Sequence, residues 1–324
     1  MPRAEPGRPG SRSPAAAAGR SRPLSAARGP GARGLAALLA AGSRGARQLL
    51  ERAEDLPRLL DFLRGRLEFR PRPDDVYAVT YPRSGTTWLQ MILYQLTTAG
   101  RMDFDHIGQV APWFERSLAV GAARAVDFER LASPRVFKSH LPHQWLPKPG
   151  RYIYVERDGL DVALSYYHLY RTHLGFAGDF DRFFERFLRG ELQYRSWFKH
   201  VAGWRALAAR PDVLTLRYED LRADPAAGID RIADFLGLHP TPAQRRRVHQ
   251  RCSLEFMKRH EQRFDHITGL LLERGLQRGQ FIRDGRSGEG RQALSAAQRR
   301  RFEQRCRRLH TGPSPEWDLP AFLH

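Results

Sequence analysis

One stretch near residue 80 has the residue types and spacing to hold an anion: Tyr81-Pro82-Arg83-Ser84-Gly85-Thr86-Thr87-Trp88. Pro82 fixes one turn and Gly85 frees the next, so successive backbone N–H groups from Ser84 to Thr87 can converge on one point at a helix start. Arg83 brings a cation, and Ser84, Thr86 and Thr87 bring hydroxyl donors. The loop follows Val76 to Thr80, whose β-branched, aromatic and small residues suit a buried strand. It precedes Leu89 to Leu96, where apolar residues recur at helical spacing. Strand, polar turn and helix together make an anion cradle. The nearest general pattern, G-x-x-x-x-G-K-[ST], does not fit, because no Gly leads and the cation precedes the Gly; that mismatch argues against ATP or GTP.

The octapeptide strongly resembles the 5′-phosphosulfate-binding loop of the cytosolic-type sulfotransferases, which use 3′-phosphoadenosine 5′-phosphosulfate (PAPS). The resemblance extends over about residues 72 to 306. It implies that Arg83, Ser84, Gly85, Thr86, Thr87 and Trp88 hold the 5′ side of the nucleotide, with Trp88 stacking on the purine. Lys138-Ser139-His140-Leu141-Pro142 is similar to the family's base-carrying segment. His140 would take the acceptor's proton, a role suited to a side chain titrating near neutrality, while Lys138 and Arg83 would stabilise the transferring group. Glu156-Arg157-Asp158 through Ser165 is similar to the 3′-phosphate motif, Arg157 binding by paired donors and Ser165 by its hydroxyl. Arg217-Tyr218 resembles the strand end whose Tyr touches the adenine. The segment Cys252 to Met257 resembles the adenine-side segment, with Cys252 and Leu254 where a hydroxyl residue and an aromatic are usual. Phe281-Ile282-Arg283-Asp284-Gly285, followed by Gly288-Glu289-Gly290, resembles the C-terminal signature. There Arg283 and Gly285 match, but Asp284 replaces a Lys, which implies a weaker grip on the 3′-phosphate.

Two further departures matter. Arg83 stands where soluble members usually carry Lys; it keeps the charge but cannot point one compact ammonium at the bridging oxygen. The family's homodimer motif, due near Arg291 to Arg300, is matched only in part, so that dimer is not predicted. Tyr166, Tyr167 and Tyr170 read as packing residues. Sulfuryl transfer rests on positioning and electrostatics, and the group carries less negative charge than a phosphoryl group, so fixed cations can suffice without Mg²⁺. No metal is predicted.

These residues need elements to bring them together. Short apolar runs at Pro134 to Phe137, Tyr152 to Val155 and Val213 to Leu216 each end in polar groups, as the first strand does. Helical patterns cover Leu160 to about Tyr170, Phe180 to about Arg189, Trp197 to Ala209, Ala226 to Leu236 and Pro242 to Arg259. A last helix begins at the capping box Ser295-Ala296-Ala297-Gln298. Strands alternating with helices predict an α/β fold, a single domain with a central parallel sheet flanked by helices, of the P-loop-like sulfotransferase type. Ligands of such sheets sit beyond the strands' carboxyl ends, so Arg83, His140, Arg157 and Tyr218 should gather at one edge. Upstream, leucines between residues 44 and 69 predict one or two helices interrupted by Pro57. The expected divisions are a disordered tail over 1–34, a helical segment over 35–70, the sulfotransferase domain over 72–306 and an extension over 307–324.

Composition sets the remaining bounds. The 324 residues carry a formal net charge of +19, and only four of the 54 basic residues are Lys. The Arg-rich first 50 residues hold much of that excess. No nucleic-acid motif accompanies it, and an anionic co-substrate needs only a local cluster. Two cysteines without paired or metal-ligand spacing suggest a reducing, cytoplasmic setting, and the longest apolar run is too short to span a bilayer. The acceptor would be a small, hydrophobic alcohol, phenol or amine, walled by aromatics such as Phe104, Trp113, Phe114, Phe176, Phe180 and Phe264. Two other readings stay open: a P-loop kinase, which would need a Walker lysine and a Mg²⁺ carboxylate, and a nucleotide-binding protein with a decayed site.

Overall fold

A computed structural model describes residues 56–120, 126–264 and 285–310, all within one compact unit, Glu51–His324. The expected tail, residues 35–55, Arg283, Asp284 and residues 311–324 lie outside the described residues.

Four strands, β1 (Val76–Thr80), β2 (Val136–Ser139), β3 (Arg151–Glu156) and β4 (Val213–Arg217), pair in parallel in the order β2-β1-β3-β4. Alternate residues point to opposite faces of a strand, and here both faces are covered. Tyr77, Val79, Phe137, Tyr152 and Tyr154 enter one core, and Val76, Ala78, Val136, Ile153, Val155 and Leu216 the other. Such two-sided burial is what a parallel sheet requires. On the first face Phe137, Tyr77 and Tyr152 stack across three strands with ring centroids 5.4 and 5.3 Å apart. Fully burying each such ring contributes about 1.5–3 kcal/mol.

The helices are α1 (residues 56–68), α2 (Thr86–Thr97), α3 (Phe114–Ala119), α4 (Gly159–His173), α5 (Phe180–Arg189), α6 (Trp197–Arg205), α7 (Tyr218–Ala223), α8 (Pro225–Leu236), α9 (Pro242–Arg251) and α10 (Leu254–Arg259), then Glu289–Ala293 and Ala296–His310. Pro57 lies within the described part of α1. The helix predicted over Pro242 to Arg259 is two, because the Ser253 hydroxyl accepts from Phe256 N and caps a new start. That predicted from Trp197 stops at Arg205. β2 runs two residues later than predicted: Pro134 has no N–H for the ladder, and Lys138 and Ser139 pair with Ala78 and Val79. At the amino ends of β1 and β2, fully buried Arg135 and Asp75 form a two-point ion pair, 2.7 and 2.8 Å.

Candidate active site

The turn after β1 places two residues in the left-handed region, Arg83 (φ 69°) and Gly85 (φ 91°). A β-carbon at Gly85 would lie 2.8 Å from the Tyr218 ring, so close approach as well as backbone angle requires glycine there. Helix α2 starts directly behind it without a side-chain cap, which leaves the N–H groups of its first turn for an anion. The Ser84 hydroxyl is buried with no hydrogen-bond partner in the structure. A buried orphan donor at an uncapped helix start fits a phosphate-type ligand. The Thr86 hydroxyl, predicted as a ligand donor, meets Thr80 Oγ1 at 2.6 Å. Thr87 stands beside it in the first turn of α2, half-buried.

Arg83 turns toward α4 and donates Nε–H to Ser165 Oγ at 3.1 Å. From the end of β3, Arg157 donates to the Arg83 carbonyl at 3.0 Å and to the Arg286 carbonyl at 2.9 Å. Its guanidinium lies 4.5 Å over the Tyr218 ring, and its buried Nε has no partner in the structure. Asp158 caps α4 by accepting from Leu160 N and Asp161 N. Asp161, in the first turn of the helix, accepts from Gly288 N at 2.8 Å and Gly290 N at 2.7 Å. Tyr218 donates its hydroxyl to the Gly285 carbonyl at 3.1 Å. Residues 285–290 are thus tied to the start of α4; Arg283 and Asp284 lie outside the described residues.

On the other side of β1, His140 follows β2 and is 4 % exposed. Its Nδ1 lies 2.8 Å from the Thr80 carbonyl oxygen. That oxygen can only accept, so Nδ1 carries the proton and Nε2 the lone pair. Burial and the nearby Lys138 charge hold the ring's pKa well below the usual histidine value. The main chain is gripped at both ends: His140 N donates to Glu115 Oε1 at 2.9 Å, and its carbonyl accepts from His200 Nε2 at 3.1 Å. Fully buried Glu115 also accepts from Trp113 Nε1 at 2.7 Å. Burial raises the Glu115 pKa, and the bonds from His140 and Trp113 offset part of that rise. Lys138 Nζ sits 3.6 Å from the centre of the Trp113 ring. Burial lowers its pKa to about 7, Glu115 pulls it up, and Arg116 and Arg83 push it down. Trp113 and Tyr194 meet the His140 ring edge-on at 5.2 and 4.9 Å.

On the side expected to meet a purine, Trp88 donates Nε1–H to the Cys252 carbonyl at 2.8 Å and meets Tyr218 edge-on at 5.9 Å. The Cys252 thiol is buried, and burial pushes its pKa up, so its carbonyl, through Trp88, is what reaches the site. Leu254 opens α10 and is half-buried. The sheet therefore gathers Arg83, His140, Arg157 and Tyr218 at one edge, as the strand order requires.

Over residues 73–313 the chain matches the Sulfotransferase domain family. The chain belongs to the sulfotransferase family. It is 34% identical to sulfotransferase 1A1 of Bos taurus over 248 residues, covering 72% of this chain and 83% of that one. With sulfotransferase 1C2 of Homo sapiens it shares 30% over 260 residues, covering 76% and 86%. Two solved structures have the same fold. Retinol dehydratase in complex with androsterone and the inactive cofactor PAP has a TM-score of 0.64 at 24% identity, covering 79% and 87% of the two chains. A mouse sulfotransferase complexed with PAP has a TM-score of 0.63 at 24% identity, covering 78% and 88%.

Sequence reasoning about this sulfotransferase missed Glu115, Tyr194, His200 and Asp161, which act through contacts between distant segments. Of the aromatics expected around an acceptor, Trp113 stands beside His140. Phe114, Phe104 and Phe264 are instead fully or nearly fully buried core, the last two packing against each other near α2. Tyr194 (φ 67°) and Arg195 (φ 58°) are consecutive left-handed residues without a glycine, a conformation that costs about 1–2 kcal/mol per residue. Among the described residues, no helix is long and apolar enough to cross a membrane and no His, Cys, Asp and Glu cluster could hold a metal.

Proposed function

We propose that this sulfotransferase moves a sulfuryl group from PAPS to the hydroxyl or amine of a small hydrophobic acceptor, within a catalytic domain over residues 72–306. Bound at the loop after β1, the nucleotide supplies the sulfuryl group. Ser84, Gly85, Thr86, Thr87 and the α2 N–H groups receive its 5′ side, and Trp88, Tyr218, Cys252 and Leu254 border the purine. Arg157, Ser165, Gly285 and, beyond the described residues, Arg283 receive the 3′-phosphate, with Asp284 beside them. His140 takes the acceptor's proton at Nε2; Lys138 and Arg83 stabilise charge on the transferring group. Trp113 and Tyr194 flank the base as apolar walls, which supports an aromatic or otherwise hydrophobic acceptor. Cys252 and Cys306, neither in a disulfide among the described residues, accord with a reducing, cytoplasmic setting.

The observation that carries the reading is the tautomer of His140: Nδ1–H is committed to the Thr80 carbonyl, so the lone pair on Nε2 is free to take a proton in the same edge as the orphan Ser84 hydroxyl. The test is thermal unfolding with 3′-phosphoadenosine 5′-phosphate against ADP, and against ATP with and without Mg²⁺. Ligand at about a hundred times its Kd adds about 2.7 kcal/mol. Stabilisation specific to the 3′-phosphate and absent from Arg157→Ala is expected. His140→Ala should keep that stabilisation while transfer falls about 10²–10⁴-fold. An equal response to ATP with Mg²⁺ would move the assignment to a kinase, and no response to any nucleotide to a decayed site.

A further inference from the structure

Three tyrosine hydroxyls converge on the turn that carries Tyr194. Tyr81, at the exit of β1, donates to the Arg195 carbonyl at 2.8 Å. Tyr166, on α4 next to Ser165, donates to the Gln193 carbonyl at 3.2 Å. Tyr170, one turn further, accepts from Gln193 N at 3.3 Å. The tyrosines come from the two elements that hold Arg83 and Ser165, and the turn they grip puts the Tyr194 ring against His140.

We propose that Tyr81, Tyr166 and Tyr170 are positioning residues for the acceptor: they hold the left-handed Tyr194–Arg195 turn, and so the wall beside His140, in place from the nucleotide-binding elements. This rests on the reading of His140 as the face that meets the acceptor. Simple burial of tyrosines does not account for the pattern, since any carbonyl would satisfy a buried hydroxyl. Here three hydroxyls from two elements meet main-chain groups of Gln193 and Arg195, on either side of Tyr194. A turn with no role beyond linking α5 to α6 could use glycine at both left-handed positions, yet it carries a buried aromatic and an exposed arginine. Burial keeps Tyr81 and Tyr166 protonated, their pKa values well above the usual tyrosine value, so both remain donors at any physiological pH.

The test compares the full chain with Tyr81→Phe, which keeps the ring and removes the hydroxyl, and with Tyr81→Phe/Arg195→Gly, in which glycine adopts the turn without the tether. With 2-naphthol as probe acceptor, Tyr81→Phe should raise the acceptor KM about fivefold, the loss of roughly one hydrogen bond, with less change in kcat and the same stabilisation by PAP. The double variant should recover most of that loss. In parallel, the His140 ring resonance, assigned with His140→Gln, should shift in Tyr81→Phe and return in the double variant, whether or not 2-naphthol is turned over. An unmoved His140 resonance in Tyr81→Phe, or a shift that glycine leaves uncorrected, overturns the proposal. An active His140→Ala variant would overturn the base assignment alone, because the resonance is read without turnover.

Discussion

At Lys138, burial and charge pull in opposite directions. The ammonium keeps a cation–π contact with Trp113 and the attraction of Glu115, yet burial brings its pKa to about 7. A lysine so placed loses its charge as pH rises through about 7 in the ligand-free chain, and an anion bound beside it, as proposed, would restore it. Affinity for 3′-phosphoadenosine 5′-phosphate should therefore fall above pH 7, by at most about tenfold per pH unit for one coupled proton. Lys138→Arg, charged throughout, should flatten that limb. Titration calorimetry from pH 6 to 9 measures it, and a flat wild-type profile would remove Lys138 from the donor site. The turn itself was legible from residue types: its one glycine takes the left-handed conformation directly before α2. The orientation of the side chains did not read. Thr86 meets Thr80, six residues back on β1, and Arg83 reaches Ser165 on α4, because such orientations depend on how strand and helix pack around the turn.

Helix α4 is fastened at its start to the C-terminal segment by one carboxylate. Asp161 is 2 % exposed and accepts from both Gly288 N and Gly290 N, and a β-carbon at Gly290 would fall 2.3 Å from the Leu160 carbonyl carbon. Asp161→Asn keeps the shape but can accept with only one of its two atoms, leaving a buried N–H unpaired at a cost of about 1–3 kcal/mol. We expect affinity for 3′-phosphoadenosine 5′-phosphate to fall about tenfold or more while the melting temperature without ligand drops by less than about 8 °C. Equal affinity in the variant would mean that the segment docks without this tie. The strands and most helices were legible because their period and caps are local: Asp158, Asp179 and Thr241 each sit at the start they cap. The break at Ser253 was masked by an apolar pattern that runs through it. The left-handed Tyr194–Arg195 turn carried no glycine to announce it.

Over the whole molecule, acid should be the weak side of stability. His200 is buried between the Tyr154 hydroxyl and the His140 carbonyl, and burial lowers its pKa to about 3. The unfolded chain takes up that proton near pH 6.5 and the folded chain does not, so the contribution is complete above about pH 6.5 and is lost as pH falls. Between pH 7 and 5 it amounts to about 2 kcal/mol. Denaturant melts at the two pH values should show His200→Gln losing about that much less than wild type, and parallel losses would place the acid sensitivity elsewhere. The parallel topology was legible from alternating element types, but not the order in which the strands lie. That order has its own consequence. The strand leading to His140 and the strand leading to Arg157 flank β1 on opposite sides, each one strand spacing away, about 4.8 Å. The sheet is thus a ruler with its zero at the loop after β1. A strand inserted between β2 and β1 would set His140 a full division from the loop after β1, and one between β1 and β3 would do the same to Arg157, whereas strands added beyond β2 or β4 leave both spacings unchanged.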